Sequence, residues 1–189
     1  MDRKDWTDAE LTRACRQGSE AAWREVVRRF SPMVFRIGIR MLRVEADTHD
    51  VCQEVFLNMH RSFHTYDATR PLKPWVAQVT YNACLHRMRG AMTKATRPSD
   101  PSDFARVVDP AATDPERAAM DAERAGHLET AFDDLASQDQ ALLVLRYREG
   151  LSDAEVAEAT GMPVGTVKTR IFRAKGKMRA RLAPRLGEE

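Results

Sequence analysis

Apolar side chains recur at intervals of three and four residues along most of the chain, which is the period of an amphipathic helix. No segment shows the long apolar–polar alternation that is typical of a β-strand. Four apolar stripes occupy the first half of the sequence, at Trp23–Phe30, Val34–Leu42, Val51–Phe63 and Trp75–Ala83. We therefore expect an all-α fold in which these helices enclose one small core between about residues 5 and 91.

The helical pattern stops between residues 93 and 115, where the sequence reads TKATRPSDPSDFARVVDPAATDP. This stretch is rich in proline and acids and has no apolar stripe longer than one turn. Residues 98–123 contain seven Asp or Glu against two Arg. We predict a flexible acidic linker, residues 93–115, that joins two small helical domains, residues 1–92 and 116–189.

The C-terminal half contains the signals of a helix-turn-helix in LSDAEVAEATGMPVGTVKTRI. Ser152 followed by Glu155 is a capping-box pattern, which predicts a helix that begins at residue 153. Gly161 is suited to the left-handed conformation that ends a helix, and Pro163 fits the beginning of the next one. A helix of about eight residues, a short turn with glycine and a second helix form this motif.

The second helix of the motif has two different faces when residues are placed 100° apart. One narrow arc is apolar and predicts the core side; it holds Val167, Ile171, Ala174, Met178 and Leu182. The opposite arc holds small residues and an aromatic, namely Gly165, Thr169, Phe172 and Gly176, with Lys168 and Arg173 beside them. A solvated basic helix is one interpretation, but small residues that permit close approach, flanked by cations, favour a helix in the major groove of DNA.

The helix predicted from residue 47 to 64 also has a notable outward face. Away from its apolar ladder it presents acids and amides around an exposed leucine, in the set Asp50, Gln53, Glu54, Leu57, His60 and Arg61. From the residues alone this face is either solvated or a docking surface for another protein.

Composition excludes several classes of protein. The chain is 43% hydrophobic and 31% charged, and no apolar run approaches the roughly 18 residues of a membrane helix. We expect a cytoplasmic protein with no membrane insertion, whose three cysteines are free thiols. No phosphate-binding loop, catalytic triad or carboxylate pair is present, so we expect no enzymatic activity and no cofactor. The pairs His60/His64 and His49/Cys52 share helix faces but lack further ligands, so we expect no metal site.

Two segments of the chain resemble known motifs. DTHDVCQEVFLNMHRSFHTYD (47–67), followed by PWVAQVTYNACLHRMRG (74–90), resembles the second domain of bacterial sigma factors. LRYREGLSDAEVAEATGMPVGTVKTRIFRAKGKM resembles their fourth domain. The order of the two motifs and the short acidic segment between them identify the chain as similar to the extracytoplasmic-function (ECF) group of the sigma-70 family.

This resemblance implies a transcription initiation factor that binds core RNA polymerase and promoter DNA and is regulated by an anti-sigma factor. It implies that Asp50, Gln53, Glu54 and Leu57 dock on the clamp helices of the polymerase β′ subunit, and that the C-terminal domain meets the β flap. It implies contacts with the minus-ten element from the loop YDATRPLK and the following helix, by Tyr66, Val79, Asn82, His86, Arg87 and Arg89. It implies contacts with the minus-thirty-five element by Lys168, Thr169, Arg170, Phe172, Arg173 and Lys175.

The residue chemistry of the predicted minus-ten region agrees with this interpretation. Gln78, Asn82 and Arg89 form a polar stripe, and amides, cations and an aromatic suit an unpaired strand. Trp75 is expected to be a core residue beneath the loop. The chain departs from the family at LKPW and at Tyr81, where a small residue is usual. A stand-alone helix-turn-helix regulator with a sensor or dimerisation bundle is the alternative function.

Overall fold

The computed structural model describes residues 6–93 and 115–186, and every regular element within them is helical. An N-terminal bundle contains α1 (Asp8–Arg16), α2 (Glu20–Leu42), α3 (Glu45–Ser62) and α4 (Leu72–Thr93). A C-terminal bundle contains α5 (Pro115–Asp133), α6 (Ser137–Leu143), α7 (Asp153–Thr160) and α8 (Val164–Leu186). A π-helical turn, Val144–Arg148, continues directly from α6. Most of the predicted linker, residues 94–114, lies outside the described residues.

The N-terminal core is built from the predicted stripes, but two of them belong to one helix. Trp23–Phe30 and Val34–Leu42 are parts of the single helix α2, which continues through Pro32. Pro32 removes one backbone donor, yet it lies on the exposed side of the helix, and packing of both stripes on the same core holds the helix together. The buried ladder of α3, with Val51, Val55 and Met59, completes this core as predicted.

The helix α1 was not predicted from the apolar pattern. Thr7 caps it, and the Thr7 side chain and the Glu10 carboxylate bond each other's backbone N–H groups in a capping box. Leu11 is its buried anchor. Because α1 supplies only one large apolar side chain to the core, its stripe is too short for periodicity to reveal.

The helix-turn-helix has the predicted bounds. The Ser152 hydroxyl accepts a hydrogen bond from the backbone N–H of Glu155, and the Glu155 carboxylate accepts one from the backbone N–H of Ser152. The helix α7 ends at Gly161, whose φ of 70° is left-handed. On α8, Val167, Ile171 and Ala174 are buried, as their common arc predicts.

The two bundles contact each other directly, with α7 against α4 and α6 against α2. Buried residues of both bundles form one continuous apolar cluster. All three cysteines are free thiols; Cys84 is buried, and Cys15 and Cys52 are half-buried. Burial raises the pKa of the Cys84 thiol to about 12, which keeps it protonated and unreactive at neutral pH.

Candidate nucleic-acid interface

The outward face of α8 is a low, open surface with one protruding aromatic ring. Phe172 is 78% exposed, although phenylalanine side chains are usually buried. A Cβ added at Gly165 or Gly176 would meet nothing within 4 Å, so no packing within the described chain requires a glycine there. Lys168, Thr169 and Arg173 are exposed around the ring. The surface permits close approach by a partner and offers it an aromatic ring between cations.

Arg170 lies apart from the other predicted residues of α8. Its guanidinium donates to the Asp139 carboxylate at 2.7 Å and to the Gln138 side chain at 3.1 Å. Two positions after Lys168 on a helix, it is turned by about 200°, toward α6 rather than outward. Arg170 therefore connects α8 to α6 and does not belong to the outward face.

Lys175 contacts Tyr147, an exposed aromatic residue that was not predicted from the sequence. Its ammonium nitrogen lies 3.4 Å from the Tyr147 hydroxyl oxygen and 5.2 Å from the ring centroid. Tyr147 is 57% exposed and comes from the π-helical turn. The sequence did contain a signal for it, because an aromatic residue flanked by Arg146 and Arg148 immediately before the helix-turn-helix is suited to binding nucleic acid.

The polar stripe of α4 is exposed along part of its length. Asn82, His86 and Arg89 are exposed, and Val79 is half-buried beside them. Arg87 points elsewhere, because its guanidinium donates to the carboxylates of Asp47 at 2.5 Å and Asp50 at 3.0 Å. It thereby connects α4 to the outward face of α3, and these hydrogen bonds, chiefly the one to Asp47, raise its pKa above the ordinary arginine value.

Tyr66, at the beginning of the loop before α4, is buried rather than displayed. Its ring stacks on Trp75 with centroids 4.3 Å apart, and its hydroxyl donates to the carbonyl oxygens of Arg70 at 3.0 Å and Pro71 at 2.7 Å. Burial raises the pKa of the Tyr66 phenol to about 12. Trp75 lies beneath the loop as predicted, and also meets Phe63 edge-on at 5.2 Å.

The unpredicted helix α1 fixes the two ends of this loop. The Arg16 guanidinium donates to the carbonyl oxygens of Phe63 and Tyr66, where the chain leaves α3. The Asp8 carboxylate accepts a hydrogen bond of 2.8 Å from the backbone N–H of Leu72, the first residue of α4. The loop is therefore a pre-formed element with buried support.

The outward face of α3 is exposed, with Asp50, Gln53, Glu54 and Leu57 all accessible. Leu57 is 58% exposed in the middle of this face, which is otherwise polar. A large apolar residue in that position indicates a protein-binding surface more than a solvated one.

Family comparisons agree with both halves of the chain. Residues 26–93 match the family model Sigma-70 region 2, and residues 126–178 match the model Sigma-70, region 4. The chain is 31% identical to the ECF RNA polymerase sigma factor SigM of Mycobacterium tuberculosis over 185 residues, which cover 98% of this chain and 87% of that protein. The chain belongs to the ECF sigma factors.

Further relatives are consistent with this family. SigE of Mycolicibacterium smegmatis, also an ECF RNA polymerase sigma factor, is 31% identical over 174 residues, covering 91% of this chain and 66% of that protein. Because these similarities run through both bundles, the chain is an RNA polymerase sigma factor, and the alternative of a stand-alone regulator is not favoured.

Two solved structures share the fold of this sigma factor. CnrH, in complex with the cytosolic domain of CnrY, gives a TM-score of 0.65 at 22% identity over 94% of this chain and 97% of that one. RpoE of Bartonella quintana, in complex with the anti-sigma factor NepR, gives a TM-score of 0.67 at 16% identity, over 85% of this chain and 96% of that one. At these identities the likeness concerns the fold alone.

The C-terminal bundle of the sigma factor also carries a shallow apolar groove between α5 and α8. Its volume is about 480 Å³, and it is lined by Leu128, Lys175, Met178, Arg179, Leu182 and Ala183. Leu128 is 51% exposed at its edge. The apolar floor and basic rim fit an amphipathic segment with acidic residues.

Two kinds of feature are absent from the described ranges. In residues 6–93 and 115–186, no three His, Cys, Asp or Glu side chains form a group that could hold a metal ion. Among the helices described there, none is both long enough and apolar enough to cross a membrane.

Proposed function

We propose that this sigma factor binds core RNA polymerase and holds promoter DNA at two points, α4 with its preceding loop at the minus-ten element and α8 at the minus-thirty-five element. The observation that carries the proposal is the outward face of α8, where Phe172 is 78% exposed between Lys168 and Arg173 on the side opposite the core. The initiation chemistry is that of the polymerase, and this chain acts as a non-enzymatic specificity subunit.

At the upstream element α8 enters the major groove of duplex DNA. Thr169 and Phe172 contact base edges and thymine methyl groups, and Arg173 bonds guanine or a phosphate. Lys168 and Lys175 bind phosphates on the two sides of the groove, with Tyr147 beside Lys175. The glycines of this face allow the helix backbone to approach the bases.

At the downstream element the exposed stripe of α4 receives an unpaired strand. Asn82 offers an amide to a base edge, and His86 and Arg89 lie where a phosphate backbone would pass. Val79 supplies an apolar contact to a base. Arg87 can reach the strand only after its hydrogen bonds to Asp47 and Asp50 have broken. Tyr66 acts through the shape of the loop that it supports.

The contacts with other proteins follow from the two exposed surfaces described above. The clamp helices of β′ dock on Asp50, Gln53, Glu54 and Leu57, and the β flap fits the groove between α5 and α8. One structural relative, RpoE of Bartonella quintana, is in complex with the anti-sigma factor NepR. We propose that an anti-sigma factor regulates this chain as well.

Run-off transcription with purified core polymerase and a promoter library from the source genome tests the proposal. The wild-type chain should produce transcripts from a restricted set of promoters, whereas core polymerase alone should not. Glu54→Lys should lose competition for core polymerase by about ten-fold or more while retaining its helical content. Glu20→Lys, the same charge reversal on α2, is the matched control. Equal competition by Glu54→Lys and wild type would contradict the assignment of the α3 face.

A further inference from the structure

The helix α1 bonds both ends of the loop between α3 and α4. At one end the Arg16 guanidinium donates from Nε to the Phe63 carbonyl oxygen at 3.2 Å and from Nη2 to the Tyr66 carbonyl oxygen. At the other end the Asp8 carboxylate accepts the hydrogen bond from the backbone N–H of Leu72, where α4 begins. These backbone groups need outside partners, because the last carbonyls of one helix and the first N–H groups of the next have none within their own helix.

The charges of the two α1 side chains also suit the helix ends that they meet. A cation is favoured at the C-terminus of a helix and an anion at the N-terminus. Asp8, in the first turn of α1, meets the beginning of α4, and Arg16, in its last turn, meets the end of α3. The step from one residue to the other spans about 12 Å at the helical rise of 1.5 Å per residue. One short helix therefore caps two others and bridges the loop between them.

The helix α1 is itself held on the body of the N-terminal bundle. It packs on α2, and its Leu11 side chain is fully buried. The Asp8 carboxylate also accepts a hydrogen bond of 3.2 Å from the Arg29 guanidinium of α2, which donates in addition to the Trp6 carbonyl oxygen at 2.8 Å. The two ends of the loop are thereby fixed relative to the core of the bundle as well as to each other.

Between the two anchors the loop has hydrogen bonds of its own. The Asp67 carboxylate accepts from the backbone N–H and the hydroxyl of Thr69 at 2.9 and 2.8 Å, and these bonds, chiefly the backbone one, lower the Asp67 pKa below its ordinary value. The Tyr66 hydroxyl closes the other side of the loop on the carbonyl oxygens of Arg70 and Pro71. The tip therefore has a fixed shape, and the anchors on α1 determine where that shape lies relative to α4.

We propose that Asp8 and Arg16 are positioning residues for base selection at the minus-ten element, and that they act through the loop at residues 64–71. The inference rests on the proposed function, in which this loop and α4 receive the unpaired strand. A loop that is already ordered loses little conformational entropy when a base binds to it. Only a base that enters the loop gains from its shape. Release of either end therefore lowers the affinity for that base and leaves the affinity for the other bases unchanged.

Substitutions in the full chain test this role at each end of the loop. Arg16→Ala and Asp8→Ala each release one end. Arg16→Lys and Asp8→Asn are their conservative counterparts, because an ammonium can still donate to a carbonyl oxygen and a carboxamide oxygen can still accept from the Leu72 N–H. Arg13→Ala removes the same charge as Arg16→Ala from an exposed position of α1 and is the matched control.

The first measurement is base preference in run-off transcription, with core polymerase saturated by each chain and a promoter library randomised in the minus-ten element. Preference is a ratio within one preparation, so the fraction of folded chain cancels. A wrong base in a specific site typically lowers affinity by about 5- to 150-fold. Arg16→Ala and Asp8→Ala should lower the wild-type preference by about 5-fold or more, both at the same position, because they hold one loop. Arg16→Lys and Asp8→Asn should retain most of the preference, and Arg13→Ala all of it.

The second measurement is amide hydrogen exchange of the free chain, which reports on the loop without promoter or polymerase. Loss of one hydrogen bond of ordinary strength should make residues 64–72 exchange about ten-fold faster in Arg16→Ala and Asp8→Ala. The buried ladder of α3 at residues 51–59 should keep its protection in both variants. The Leu72 amide should exchange at nearly the wild-type rate in Asp8→Asn.

Three results would overturn the positioning role. They are unchanged loop exchange in both alanine variants, faster loop exchange with unchanged base preference, and an equal loss of transcription from every library promoter, which is the behaviour of a chain that is only less stable. When the wild-type chain shows a base preference, each of these results refutes the role of α1 alone. If the wild-type chain shows no preference anywhere in the minus-ten element, the proposed function fails, and the role of α1 in base selection fails with it.

Discussion

Gly38 allows α2 and α3 to approach closely, and replacing it with alanine tests the packing that positions the proposed docking face of α3. A Cβ at residue 38 would lie 2.9 Å from Cγ2 of Thr48, well inside the optimum of about 3.5–4.0 Å between carbon atoms. Thr48 is fully buried, and its hydroxyl donates to the Val44 carbonyl oxygen at 2.8 Å, which holds its rotamer. The threonine methyl group cannot turn away, so α3 must move outward by about half an ångström or more.

Two effects of opposite sign determine how much Gly38→Ala changes the free energy of unfolding. Alanine is favoured over glycine in a helix interior by about 1 kcal/mol, whereas overpacking of a core costs about 1–3 kcal/mol. We expect Gly38→Ala to lower the free energy of unfolding by about 1 kcal/mol in net terms. Thr48→Ser removes the clashing methyl group, so Gly38→Ala in that background should raise stability by up to about 1 kcal/mol.

Urea denaturation of the four chains, followed by circular dichroism, measures both effects as a double-mutant cycle. Competition for core polymerase by Gly38→Ala should also weaken, because α3 carries the proposed docking face, and Thr48→Ser should restore it. If Gly38→Ala is more stable than the wild type in the presence of Thr48, the clash is absent and the close approach of α2 and α3 is refuted.

Three further substitutions have distinct expected outcomes. Ser152→Ala removes the cap of α7 and should lower the free energy of unfolding by about 1 kcal/mol in urea, whereas Ala154→Ser, an exposed position on the same helix, should have little effect. Tyr81→Phe should leave stability unchanged or raise it by up to about 1 kcal/mol in the same assay, because within the described residues the Tyr81 hydroxyl is buried without a hydrogen-bond partner; a loss above 1 kcal/mol would reveal a partner. Phe172→Ala should weaken binding of the holoenzyme to the minus-thirty-five element by about 1–3 kcal/mol, measured by footprinting, and leave the free energy of unfolding unchanged. An unaltered footprint at that element would contradict the proposed role of α8.

Local signals made the C-terminal motif predictable. The beginning of α7 depends on Ser152 and Glu155, and its end on Gly161, which are rules within one helical turn. The same rule was available for α1, since Thr7 and Glu10 have the capping-box spacing and Leu11 follows. Periodicity alone missed that helix because its apolar stripe is so short.

The continuity of α2 was also present in the sequence, in the phase of its two stripes. Phe30, Val34, Ile37 and Met41 follow one another at intervals of four, three and four, so both stripes lie on one face of a single helix. Separate helices would have no reason to keep this phase. A proline at an exposed position interrupts one hydrogen bond, whereas the common core face fixes the axis on both sides of it.

The contact between the bundles could not be predicted from either half. Each apolar stripe reports burial within its own bundle, and Arg36 and Glu149 are 113 positions apart in the chain. In the sequence Arg70 and Lys73 have the character of phosphate ligands in and beside the loop before α4, and that chemistry is equally suited to carboxylates. Because Arg70 and Lys73 pair with Glu158 and Glu149 of the C-terminal bundle, the partners of these two cations become known only when the two bundles are packed together.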